Sequence, residues 1–249
     1  MIAPATRRRL IAGAVGALLV VSAAAIGVVL RERSAPLPAP PPGERPELLL
    51  LTSLPIVFPE GFTLEDAGSP VLVALESRYD VVPLSTADGR SLSGHNLLLM
   101  AQPHAQPADI LVELDQWVRG GGHALLLADP ALEWPSDLPL GDLSRPPTAF
   151  PDTGLLGHWG LRLDAPDERG PRSSRVDQKQ VRTASPGRLA ATGPHCAVSR
   201  DGFVARCGIG RGRATVIADA DFLDVEKVEG ANRSRNLDFL LAELGRLEK

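Results

Sequence analysis

The sequence predicts an α/β fold: an open, mostly parallel sheet with helices on both faces, a C-terminal β-hairpin region, and one N-terminal transmembrane helix. Three observations predict it. Short, continuously apolar runs recur at 47–52, 79–84, 96–101, 124–128 and 213–218, as expected of strands covered on both faces. Segments of helical period separate several of them. The resulting order, strand, helix, strand, strand, helix, strand, needs crossover connections of the kind that build parallel sheets.

The first strand is Glu47 to Thr52, after which Pro55, Pro59 and Gly61 impose an irregular loop. A helix is predicted over Pro70 to Arg78, with Val71, Leu72 and Leu75 on one face and Pro70 at a first helical position. Tyr79 to Leu84 and Asn96 to Ala101 follow as strands. Pro107 to Arg119 carries Ile110, Leu111, Leu114, Trp117 and Val118 at helical spacing, and Gly120-Gly121-Gly122 supplies the stop. Ala124 to Ala128 is the next strand, ending at Asp129-Pro130. From Ala131 to Gly193 prolines and arginines break every period; a short helix over Thr153 to Trp159 and a strand over Leu161 to Leu163 stand out. Arg213 to Ala218 returns as a strand, and the last helix, Ser234 to Leu247, sets Leu237, Leu240, Leu241, Leu244 and Leu247 on one stripe that closes the sheet.

Before this domain, residues 10–30 form an unbroken apolar run flanked by Arg7, Arg8, Arg9 and Arg31. About 20 apolar residues cross the ~30 Å hydrocarbon core of a bilayer as a helix. The flanking charge places residues 1–9 in the cytoplasm and the bulk of the chain outside it, in the periplasm of a Gram-negative cell, as a single-pass protein of the cytoplasmic (inner) membrane. A signal peptide cleaved near Ala23-Ala24-Ala25 is the alternative. Residues 31–46 hold six prolines between 34 and 46, a semi-extended linker, which leaves 47–249 as one extracytoplasmic domain.

Residues 34–249 contain 21 Lys+Arg and 29 Asp+Glu, a formal charge of -8, which excludes nucleic acid as a partner and argues against adhesion to anionic lipid. Two cysteines, Cys196 and Cys207, flank Asp201-Gly202. A two-residue turn at Asp-Gly puts Arg200 opposite Phe203 and Cys196 opposite Cys207, on a rung of the wider kind that a disulfide spans. Two buried free thiols are the alternative.

The candidate carboxylates are Asp219 and Asp221, at the end of a strand where ligands sit in open α/β sheets, with Asp129 at the end of another. They could take a divalent cation through oxygen ligands; otherwise Asp219 ends its strand and Asp221 braces the following turn. The five histidines are scattered without i, i+4 pairing. Gly208, Gly210 and Gly212 lack dinucleotide-binding spacing and read as a turn or bulge. Ser93-Gly94-His95 reads as a turn. The arginines at 169, 172, 175, 182 and 188, interleaved with Asp167, Glu168 and Asp177, read as a solvated loop. No cofactor is expected.

The early apolar strand followed by Leu54-Pro55, Arg119-Gly120-Gly121-Gly122, the strand to Asp129-Pro130, Leu155-Leu156 through Trp159-Gly160-Leu161, and Arg213 to Phe222 before Asn236 and Phe239 together resemble the ectodomain of gliding-motility-type (GldG-like) auxiliary proteins of ABC transporters. That resemblance covers most of 47–247 and implies a fold similar to class I glutamine amidotransferases and a protein partner in an ABC-type transport or envelope complex. The chain departs from the family pattern in having no evident C-terminal span. An amidotransferase places a nucleophilic Cys at a strand-to-helix elbow; the equivalent turn is Ala101-Gln102-Pro103, without a cysteine, and Gly-x-Ser-x-Gly is absent from the chain. The function expected is a membrane-anchored, non-catalytic binding or assembly domain. The alternative is an extracytoplasmic hydrolase or metal-dependent enzyme using Asp129, Asp219 and Asp221.

Overall fold

The apolar run Glu47–Thr52 forms the first strand, β1, of a mixed α/β domain. The computed structural model describes residues 44–58, 68–225 and 231–249; the predicted tail, membrane anchor and linker up to residue 43 lie outside them. Among the described residues no helix is long and apolar enough to cross a membrane.

The elements after β1 run α1 (Pro70–Glu76), β2 (Asp80–Leu84), α2 (Gly89–Leu92), β3 (Leu97–Ala101), α3 (Ala108–Arg119), β4 (His123–Leu127) and α4 (Leu155–His158). Then come β5 (Leu161–Asp164), β6 (Pro171–Val176), β7 (Lys179–Ala184), β8 (Arg188–Ala191), β9 (Cys196–Val198), β10 (Val204–Ile209), β11 (Gly212–Ile217) and α5 (Ala231–Leu247). Seven strands make one sheet in the order β2-β1-β3-β4-β11-β10-β9. The first five are parallel, and β10 and β9 follow antiparallel. β5 pairs with β8, and β6 with β7, in two small antiparallel ribbons.

Alternation along the central strands divides the core between two faces. Leu48, Leu50, Leu97, Leu99, Leu125 and Leu127 pack on the side of Val71, Leu75, Phe239, Leu240 and Leu244, from α1 and α5. Leu49, Leu51, Leu98, Met100, Leu126 and Val216 pack on the side of Leu114, Val118, Leu156 and Trp159, from α3 and α4. A sheet sandwiched in this way needs strands apolar on both faces, which is why these runs carry no polar alternation. The helix ends follow local chemistry. Ser69 Oγ accepts from Leu72 N at the start of α1, and Gly120 and Gly121 close α3, with Gly121 at a φ of 119° that favours glycine.

Two predictions are corrected. The arginine-rich stretch is the β6–β7 ribbon, not a solvated loop. Its inward face, Ser174, Val176, Val181 and Thr183, is buried, while Arg172 pairs with Glu168 at 2.8 Å and Asp177 accepts from Arg206 and Arg246. Arg206 also grips the buried Glu243 of α5 through two hydrogen bonds, 2.7 and 2.9 Å, so this ionic network ties the ribbon's tip to β10 and α5. The second correction concerns the cysteine hairpin. Cys196 and Cys207 are paired in the predicted register and joined by a disulfide, but the connection is a four-residue loop. Gly202 N donates to Ser199 O at 2.9 Å, and Ser199 N to Val204 O at 2.7 Å; only Gly202 takes a positive φ, 75°. Ser199–Val204 is therefore a hydrogen-bonded pair, which makes Cys196–Cys207 a narrow rung with Cα atoms 4.0 Å apart rather than a wide one.

The disulfide staples β9, a three-residue edge strand, to β10. Reduction, or Cys196→Ser with Cys207→Ser, is expected to cost about 3 kcal/mol for a loop of this length, read as a lower urea midpoint. The non-reduced protein should not react with a thiol-specific reagent under denaturing conditions.

Candidate functional site

Three strands of the parallel sheet end side by side, and the residues just beyond them make the site: Gln102 after β3, Asp129 after β4, and Asp219 with Asp221 after β11. Adjacent parallel strands that stop in the interior leave backbone N–H groups without ladder partners, and each must find an acceptor. Side chains supply them here. Asp129 Oδ1 accepts from Ala131 N at 2.8 Å, and its Oδ2 from Ala220 N and Asp221 N at 2.9 and 3.4 Å. Asp219 Oδ1 accepts from Phe222 N at 3.0 Å and from the Thr183 hydroxyl. Asp221 Oδ2 accepts from Glu133 N at 2.7 Å. Phe222, held by this turn, packs against Phe203 and Phe239, with ring centroids 6.4 and 5.7 Å away.

The three carboxylates thus converge, each with an oxygen within 4.8 Å of the others. Asp129 and Asp219 are fully buried and Asp221 is 6% exposed. Burial raises the Asp129 carboxyl to about 6, against the opposing pull of its backbone amides. Burial, with the negative charge of Asp129 beside it, pushes Asp219 well above the usual carboxylate range although Thr183 and the Phe222 amide favour its ionised form. No cationic side chain pairs with either among the described residues, and Asp219 Oδ2 has no hydrogen-bond partner there. Oxygen ligands at these separations suit a hard divalent cation in type, but most of their oxygens already serve backbone amides. The arrangement braces turns first.

Gln102 completes the site. It is buried, at a φ of 45°, a left-handed conformation uncommon for a side-chain-bearing residue. Its Oε1 accepts from Asp129 N at 2.9 Å, and its Nε2 donates to Asp129 O and Pro147 O, both at 3.0 Å. Its own carbonyl accepts from the Ser53 hydroxyl. Gln102 thus leaves β3 in a left-handed backbone conformation, and its side-chain amide is spent on structure. Ser185, also buried and at positive φ, 47°, donates to Glu133 and accepts from Gly170 N at 2.8 Å.

All three predicted carboxylates come together. The cysteines do not join them: Cys207 lies level with Ala214, near the amino end of β11, and Cys196 Sγ is 3.2 Å from the Trp159 carbonyl. Gly94 and Gly210 occupy turns at positive φ, 84° and 61°. Sequence reasoning missed Gln102, Thr183, Ser185 and Asn236 as parts of the site. Asn236 Nδ2 donates to Phe222 O and Arg182 O, both at 2.8 Å, and its Oδ1 accepts from Arg182 N at 3.0 Å, binding α5, β7 and the Asp221 turn together. The sequence marked Gln102 only as part of the turn at 101–103, and Asn236 only as a residue of the resemblance motif, without a role for either side chain.

No protein-family model and no curated protein matches the sequence. Solved structures show the fold. An exo-β-1,4-mannosidase, Op5Man5 from Opitutaceae bacterium strain TAV5, superposes with a TM-score of 0.51 at 14% identity, over 81% of this chain and 36% of that one. The mmIFT52 N-terminal domain superposes with a TM-score of 0.52 at 14% identity, over 80% of this chain and 97% of that one. Gan42B, a GH42 β-galactosidase, gives 0.48 at 14% identity, over 82% and 30%. This chain spans about a third of the length of the glycosidases and nearly all of the mmIFT52 domain.

Because Asp129 and Asp219 hold protons more tightly in the folded protein than in the unfolded chain, their stabilising contribution is complete below the ordinary carboxylate pKa of about 4 and is lost as pH rises through about 6 and above. Asp219→Asn keeps an acceptor for Thr183 and Phe222 and removes one buried charge. Its unfolding free energy relative to the parent should therefore rise between pH 5 and pH 8, in urea titrations at each pH. Gln102→Ala leaves the buried Asp129 amide without its acceptor and removes the bond to the part-buried Pro147 carbonyl; it is expected to cost about 2 kcal/mol, measured in the same titrations.

Proposed function

We propose that the chain is a membrane-anchored, non-catalytic binding or assembly domain, an auxiliary component of an ABC-type transport or envelope complex of the GldG-like kind. One observation carries this reading: the elbow at the end of β3 holds Gln102, whose amide is consumed by the backbone of Asp129 and by Pro147. A nucleophile at that position would have to face a substrate. Gln102 faces the next strand end, and closes the place where the related chemistry would be done.

The carboxylates support the same reading. A carboxylate acting as general base or nucleophile must reach substrate or an activated water, whereas Asp129 and Asp219 are fully buried and hold turns. The hydrolase or metal-dependent alternative draws on the convergence of Asp129, Asp219 and Asp221 and on the unshared Oδ2 of Asp219. On that alternative, millimolar Mg²⁺, Mn²⁺ or Ca²⁺ raises the melting temperature of the parent and not of an Asp219→Ala, Asp221→Ala variant.

On this reading the apolar segment predicted at 10–30 anchors the chain, and its partner lies in or on the same membrane. The full chain, expressed at native level and solubilised in mild detergent, is expected to copurify in fixed proportion with a transporter subunit or envelope protein identified by mass spectrometry. Recovery of the full chain alone, monodisperse under those conditions, overturns the reading.

A further inference from the structure

The connection between β4 and α4 displays two leucines that the fold does not use. Leu140 is 82% exposed and Leu143 is 91% exposed, the largest exposures among the large apolar side chains described. Isolated exposed apolar residues are ordinary; a pair held out on a braced loop is not, because the chain has given up conformational entropy to display apolar surface to water.

The bracing is explicit. At the base, Leu132 N donates to Thr148 O at 3.0 Å and Phe150 N to Asp129 O at 2.6 Å, and Gln102 Nε2 holds Pro147 O. Further out, the Arg145 guanidinium reaches the carbonyls of Leu138 and Ser136. Asp142 N donates to Pro139 O and Arg145 N to Asp142 O, both at 3.1 Å, and Asp142 Oδ1 accepts from Ser144 N at 2.8 Å. Pro135, Pro139, Pro146 and Pro147 stiffen the same segment. The leucines flank Gly141-Asp142 at the tip, where Gly141 has a φ of 90°.

We propose that this loop is a preformed prong that seats Leu140 and Leu143 in an apolar cleft, rimmed by basic residues, on a protein partner. The inference rests on the binding-domain reading above and names its contact surface. Charge selects the rim: Asp142 is exposed between the leucines, and residues 34–249 carry a formal charge of -8. Charge also selects a protein over the bilayer, because an anionic membrane surface repels a carboxylate flanking the leucines. A rigid loop pays its ordering cost before binding, which favours affinity from a small contact.

The test uses the full chain in native membranes, with the photocrosslinker p-benzoylphenylalanine in place of Leu140, of Leu143, or of Val73, an exposed control on α1. The inference expects positions 140 and 143, and not 73, to give an adduct with one protein species of defined mass. In a second arm the crosslinker replaces Ser144. Leu140→Asp with Leu143→Asp should lower that adduct at least about tenfold, with an unchanged melting temperature because neither side chain is packed. Adducts to lipid, adducts to a second copy of this chain, or an undiminished adduct in the double variant each overturn the prong. So does a partner that copurifies yet crosslinks only at position 73, an outcome that leaves the binding-domain reading standing; absence of any copurifying partner fails that reading itself.

Discussion

Everything at the carboxyl edge of this sheet follows from one constraint: β3, β4 and β11 stop next to one another inside the protein, and their last amides must be satisfied without further strand. Asp129 meets it most completely, holding Ala131 two residues on and Ala220 and Asp221 from a segment some 90 residues later. Gln102 does the same between β3 and the Asp129 backbone. Carboxylates and amides suit this task because their two polar atoms sit apart on one planar group and reach two strand ends at once.

Meeting a hydrogen-bond constraint with carboxylates creates an electrostatic one. Backbone amides stabilise the ionised form, but burial and mutual repulsion act against it, and in Asp129 and Asp219 the latter prevail. The cluster therefore sits between two energetic demands, a full set of acceptors for the turns and as little buried charge as the donors permit. Thr183 and the Glu133–Ser185 contact enlarge the network onto the β6–β7 ribbon and the start of the β4–α4 connection. The same residues that close the sheet edge thereby fix the elements covering it.

What the sequence disclosed and what it hid divide along physical lines. The central strands and α3 are legible because burial on both faces writes a continuous apolar run and burial on one helical face writes a 3.6-residue period. The β6–β7 ribbon was illegible because two of its four inward residues are Ser174 and Thr183, and its arginines dominate the composition. The cysteine register was legible from its symmetry about residues 201 and 202, whereas the loop type was not, since Ser199 and Asp201 side chains set it by capping Val204 N and Phe203 N. Asp129, Asp219 and Asp221 could be placed at strand ends from sequence. Their convergence could not, because it depends on β11 lying beside β4 across an 84-residue separation.

The glutamine at the β3 elbow links these observations to function. An elbow with positive φ is costly for a residue bearing a side chain, and it persists where something over-determines it. In an enzyme the return on such strain is an exposed reactive group. Here the return is structural: Gln102 binds the β4 end through Asp129 and the β4–α4 connection through Pro147, so the strained backbone holds the loop that displays Leu140 and Leu143. On the proposed reading, the left-handed backbone at Gln102 serves rigidity, fixing the base of the loop that would meet a protein.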